Sequence, residues 1–322
     1  MAKDLLYTNG VIAATEKYLL KDRIFKLCET GAEEAFRALT ESGFGKGAEV
    51  SSVYEYERLV EADERATDEF IREYAPSRAE LIYLLAARDF HNAKAAIKAK
   101  YAGADGEKMF APEGLIPLAE ILRCVEGREY EALGKHLGGT VRAAAELFEN
   151  GQASGAEIGI IFEKAQYAYL SSACARHGLL KKLVAVKADM TNILTALRSD
   201  GAEYAEACYV DGGKLSHEKL SALFSEDAER AAHCLDGTPY SDFLHKCVED
   251  RAAGLPLTRA ERIFDSYETE YFAAKKYELQ RNRPFLYYVF RRRAENSNVR
   301  ILMACLLAGM NEQDIKKRLR TF

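Results

Sequence analysis

Tryptophan is absent from this 322-residue chain, and proline occurs only six times and glycine 22 times. With so few breakers against abundant Ala, Leu, Glu, Lys and Arg, which lose little freedom in a helix, the composition argues against a sheet-rich fold and predicts an all-α one. Long apolar runs are missing too. The longest, Ile301 to Met310, has ten residues, about half of the ~20 that a membrane-spanning helix needs. The amino-terminal segment carries Lys3, Asp4, Lys17, Lys21 and Asp22 among its apolar residues, which interrupts the apolar stretch of a signal peptide and predicts no export. There is no excess of positive charge: the formal net charge is −5, which argues against a general nucleic-acid binder. The seven cysteines, Cys28, Cys124, Cys174, Cys208, Cys234, Cys247 and Cys305, are odd in number and contain no C-x-x-C pair. That pattern predicts free thiols in a reducing cytoplasm and neither a disulfide framework nor a zinc site.

Catalytic signatures are equally scarce. No G-x-x-x-x-G-K-[ST] loop is present to cradle a phosphate, and no G-x-G-x-x-G follows a strand, so ATP and dinucleotides have no evident site. The G-x-S-x-G elbow and the H-E-x-x-H helix are missing as well. Among six histidines only His245 follows an acid by three residues, in Asp242-Phe-Leu-His245, whereas a di-iron bundle needs two Glu-x-x-His copies. The reading is therefore of a non-enzyme with no cofactor, no metal and no small-molecule substrate.

What the chain does contain is a repeat. An acid, a two-residue gap and an asparagine occur at Asp89 and Asn92, at Asp189 and Asn192, and at Glu295 and Asn298, spaced by 100 residues (Asp89 to Asp189) and 106 residues (Asp189 to Glu295). A fixed period close to a domain's length predicts one helical unit built three times, with units at residues 1–111, 112–212 and 213–322. On a helix turning about 100° per residue, the apolar positions one, four and five after each asparagine share a stripe with the acid. A carboxylate aimed at a core is costly unless hydrogen-bonded or ion-paired, so each acid should meet helix N-terminal N–H groups or a Lys, Arg or Tyr. Its expected role is to fix helix register. A second paired element precedes these in the later units, Ile161-Phe-Glu163 and Ile263-Phe-Asp265.

Two charged stretches complete the inventory. Glu61, Asp63, Glu64, Asp68 and Glu69 read as a solvated helix face. Arg281, Arg283, Arg291, Arg292 and Arg293 flank Phe285-Leu-Tyr-Tyr-Val-Phe290; they cap helix ends and cover apolar faces, or else touch anionic lipid or an acidic partner.

The third unit, from Ile263-Phe-Asp through Pro284-Phe-Leu-Tyr-Tyr and Glu295-Asn-Ser-Asn298 to Leu307-Ala-Gly-Met-Asn-Glu-Gln-Asp-Ile-Lys-Lys-Arg-Leu319, resembles the C subunit of V/A-type rotary ATPases, called subunit d in eukaryotes. Tyr7 to Leu27 and Gly212-Gly213-Lys-Leu-Ser are similar to that family as well. The resemblance implies a non-catalytic central-stalk subunit, with three bundles arranged as a funnel on the cytoplasmic face of the membrane. Its implied partners are the central-axle subunits and the proteolipid ring, between which it passes torque for proton or sodium transport. The arginines Arg291, Arg292 and Arg293 are candidates for the ring side. The alternative is a generic α-helical adaptor unrelated to ion transport.

Overall fold

The computed structural model describes residues 5–20, 23–103, 109–199, 201–224, 228–255, 257–274 and 282–320. Lys3, Asp4, Lys21, Asp22 and Arg281 lie outside the described residues. Among the described residues every regular element is a helix and no strand occurs, so the chain is all-α. Among the described residues no helix is long and apolar enough to cross a membrane. All seven cysteines are free thiols, six of them buried.

In chain order the helices are α1 (Leu5–Thr15), α2 (Arg23–Leu27), α3 (Ala32–Glu41), α4 (Tyr56–Tyr74), α5 (Arg78–Ala102), α6 (Leu118–Gly127), α7 (Lys135–Glu149), α8 (Gly155–Cys174), α9 (Gly178–Arg198), α10 (Ala202–Cys208), α11 (His217–Ser221), α12 (Ala228–His233), α13 (Ser241–Ala252), α14 (Thr258–Ala273), α15 (Arg283–Leu307) and α16 (Glu312–Arg318). Their starts follow local chemistry. Before α8 the Ser154 hydroxyl accepts the Glu157 N–H at 3.1 Å and Glu157 accepts the Ser154 N–H at 2.9 Å, a reciprocal cap. Asn311 caps α16 by accepting the Asp314 N–H at 3.0 Å.

Contacts divide the chain into two compact units, Met1–Ser77 with Thr258–Phe322, and Arg78–Leu257. In the first, α15 packs against α1, α2, α3, α4, α14 and α16. A wide apolar stripe makes α15 central: it buries Phe285, Leu286, Val289, Val299, Leu302 and Met303. Ile24, Leu39, Leu59, Val60 and Ile315 close over its last turns. Phe70 of α4 stacks on Phe285 with ring centroids 5.8 Å apart. In the second unit, α5 packs against α6, α7, α8 and α9, and α9 against α8, α10 and α11. Ile97, Ile121, Val141, Ile158 and Phe162 belong to one core there.

The acidic run of α4 is not uniformly a solvated face. Asp63 has no exposed surface, and Glu64 is half-buried because Arg300 of α15 donates to both of its oxygens, at 2.6 and 2.9 Å, and to Glu57 at 2.6 Å. Helical periodicity marked α4 as charged, but the side turned toward α15 is decided by packing.

Candidate functional site

The three acid and asparagine pairs sit on the three long interior helices, α5, α9 and α15, and all six side chains are buried. Each asparagine makes a two-way clamp on one later backbone residue, its amide donating to a carbonyl and its oxygen accepting an N–H. Asn92 clamps Ala111 at 3.1 and 2.8 Å, 19 residues on. Asn192 clamps Val210 at 3.0 and 2.8 Å, 18 on. Asn298 clamps Arg320 at 3.0 and 2.6 Å, 22 on. The amide copies the donor and acceptor pair of a strand neighbour, so it satisfies backbone groups that no helix serves. The result is that the chain leaving each long helix is brought back and held against it.

Two of the acids do the corresponding work one turn earlier. Asp89 accepts the N–H of Leu115 at 3.1 Å and of Ile116 at 3.0 Å, just before α6 begins. Asp189 accepts the N–H of Lys214 at 2.7 Å and of Leu215 at 2.9 Å, just before α11. The glycine preceding each pair of donors is required by closeness: a Cβ on Gly114 would stand 2.2 Å from Asp89 Oδ1 and 2.9 Å from the Leu85 carbonyl, and one on Gly213 would stand 2.2 Å from Asp189 Oδ1. Asp189 also accepts the Tyr240 hydroxyl at 2.5 Å. The repeat locates the acids but not the turns they hold; the common offset of 25 to 27 residues from acid to donor was the available signal. Tyr240, 51 residues from Asp189, carried none.

The third acid has a different environment. Glu295 faces the Arg292 guanidinium at 3.6 Å, and Arg292 is in turn ion-paired with Asp63 of α4. These three groups are all buried, with exposures of 0% for Glu295, 4% for Arg292 and 0% for Asp63. Burial pulls the Arg292 guanidinium below its usual range, and Glu295 opposes that pull. Arg292 is therefore a core residue, and the expected three-arginine surface is reduced to Arg291 and Arg293, both half-buried. The Arg291 guanidinium lies over the Tyr287 ring, 5.4 Å from its centroid.

The second paired element does not converge on a common contact. Glu163 of α8 shares a cleft of about 480 Å³ with Arg88, His91 and Lys94 of α5. Loss of hydration in the cleft pushes the Glu163 carboxyl above the usual carboxylate range, with Lys94 and then Arg198 pulling it back. Burial draws the Lys94 ammonium below its usual range, the neighbouring Lys98 charge adding to this and Glu163 opposing it. Asp265 of α14 is exposed and accepts instead from Arg320 at 2.9 Å.

The three asparagines and the first two acids are clamps, and their chemistry is to hold turns against long helices. No curated protein matches the chain. A family model described as ATP synthase (C/AC39) subunit matches residues 8–318. That match covers nearly all of the described helices, and the chain belongs to the C/AC39 subunit family of V/A-type ATP synthases.

Proposed function

We propose that this subunit is the non-catalytic socket of the rotor, seated on the cytoplasmic face of the membrane ring of proteolipid subunits and receiving the end of the central axle. The observation that carries the reading is the family match over residues 8–318. The protein would have three helical units, at 1–111, 112–212 and 213–322, arranged as a funnel. Three asparagine clamps of one design, spanning 19, 18 and 22 residues, support that division. A part that passes torque has to resist local unwinding, and buried hydrogen bonds that tie each turn to an interior helix supply such resistance. A peripheral seat accords with the lack, among the described residues, of any helix able to cross a membrane.

Contact with the ring has to be broad, at least ~1,000 Å² for a stable protein interface. We place Arg291 and Arg293 among its candidate residues, and leave Arg292 out because its charge is satisfied by Asp63 and Glu295. The test is ion uptake in inverted membrane vesicles from a strain lacking this chain. ATP-driven uptake of protons or sodium ions is lost, while the soluble catalytic head, assayed alone, keeps its ATP hydrolysis. Normal ATP-driven uptake without the chain refutes the coupling role.

A further inference from the structure

Apart from the clamps, a cluster among the described residues gathers ligand-bearing side chains that the repeat does not use. His233 closes α12, a turn with Gly237 at φ +75° reverses the chain, and α13 returns with His245. Asp236, in the turn, lies between the two imidazoles. Its Oδ2 is 2.7 Å from His233 Nδ1 and its Oδ1 is 3.0 Å from His245 Nε2. The three ligand atoms all lie within 4.8 Å of one another, and the imidazole rings meet edge to face, 4.9 Å between centroids at 72°. The spacing that sequence reading had noted, Asp242 to His245, is not the one that matters. His245 reaches the turn.

We propose that His233, Asp236 and His245 form a binding site for a divalent transition-metal ion of zinc(II) type, with a fourth coordination position open. Two imidazole nitrogens and one carboxylate are donors that zinc takes at about 2.0–2.2 Å, in the three-ligand pattern that leaves room for water or an outside ligand. Tetrahedral bonds of that length put ligand atoms about 3.4 Å apart, so the contacts at 2.7 and 3.0 Å open by roughly 0.4–0.7 Å, and ligand atoms that lie further apart, within the 4.8 Å limit of the set, draw together. Side-chain torsions suffice. Calcium and magnesium are poorly served, because they ask for six or more oxygens. The side chains are open to an incoming ion, with exposures of 54% for His233, 49% for Asp236 and 33% for His245.

The support beneath the cluster is firm. Asp236 N–H donates to the His233 carbonyl at 3.1 Å and Thr238 N–H to that of Leu235 at 3.0 Å. Leu235, Leu244 and Cys247 are buried below, and the Ser241 hydroxyl donates to Asp236 Oδ1 at 3.0 Å, orienting the carboxylate. Tyr240 ties the same turn to Asp189. Ligands on a braced turn and a helix lose little freedom on binding.

The test titrates the full chain with zinc chloride, and separately with cobalt(II), by calorimetry and visible absorption. One ion binds per chain at this site. His233→Ala and His245→Ala each lower the affinity by roughly 10-fold or more while helical circular dichroism stays unchanged, and Cys234→Ser, altering the adjacent thiol, leaves it as it was. Crystals of the unaltered chain soaked in zinc show an anomalous peak among the three side chains, which keeps the test independent of the variants' folding. Equal zinc affinity in the wild type and both histidine variants, or an anomalous peak only at thiols, overturns the site.

Discussion

The hydroxyl of Tyr240 donates to the carboxylate of Asp189 at 2.5 Å, across 51 residues of chain and with both residues buried. One carboxylate thereby holds two separate turns, 213–215 and 238–240. This contact sets the first expectation. Asp189→Ala strands two backbone N–H groups and a phenol, at about 1–3 kcal/mol for each buried donor left unpaired. Tyr240→Phe removes a single hydrogen bond to a charged group and costs about 1.5–3 kcal/mol. Urea unfolding measures both, and an Asp189→Ala midpoint equal to the wild type's rules out the clamp.

Glycine at 114 is required by distance, so Gly114→Ala is expected to destabilise by about 1–3 kcal/mol, as an overpacked core does. Gly139 provides the control. It lies within α7 with nothing near its missing Cβ, and Gly139→Ala is expected to stabilise by about 0.5–1 kcal/mol through helix propensity. Thermal melts of the two variants should move in opposite directions.

Arg292 gives a sharper choice between core and surface. Arg292→Met leaves Asp63 without that cation and is expected to cost about 3–5 kcal/mol, the usual effect of breaking a buried pair. Adding Asp63→Leu and Glu295→Leu in the same chain should recover part of that loss. A melting temperature unmoved by Arg292→Met would mean that the guanidinium faces outward, and the surface reading would return.

Cys174 predicts a dependence on pH. Burial, and then the Glu80 charge, push its thiol up from 9.0 to about 11. For a group raised in the folded state, the stabilising contribution is complete below the unfolded value and is lost as pH rises through the folded one. Stability should therefore fall between pH 9 and about 11, and Cys174→Ala should flatten that part of the curve. At pH 8, alkylation followed by peptide mass spectrometry should label half-buried Cys234 well before Cys174. Equal labelling rates would contradict the buried thiol.

Much of this was legible in the sequence, and the limit falls in a definite place. The acid and asparagine pairs could be found because a repeat of sequence is a repeat of local structure, and their burial followed from sharing a stripe with apolar residues. Their partners could not be found in the same way. The turns they hold return 18 to 27 residues later, and 51 later at Tyr240, and backbone N–H groups carry no residue identity.

By itself the sequence determined the helical class, the three interior helices and the free thiols, since each follows from composition or from local periodicity. Only the tertiary structure decided that Asp63 is core while Glu61 is exposed, that Arg292 turns inward, and that His245 meets His233 and Asp236. Asp63 and Arg292 are 229 residues apart. Periodicity says which side chains share a face of a helix, but which element covers that face is settled by packing across the whole chain, and a charge is stable inside only where that packing brings its counter-charge.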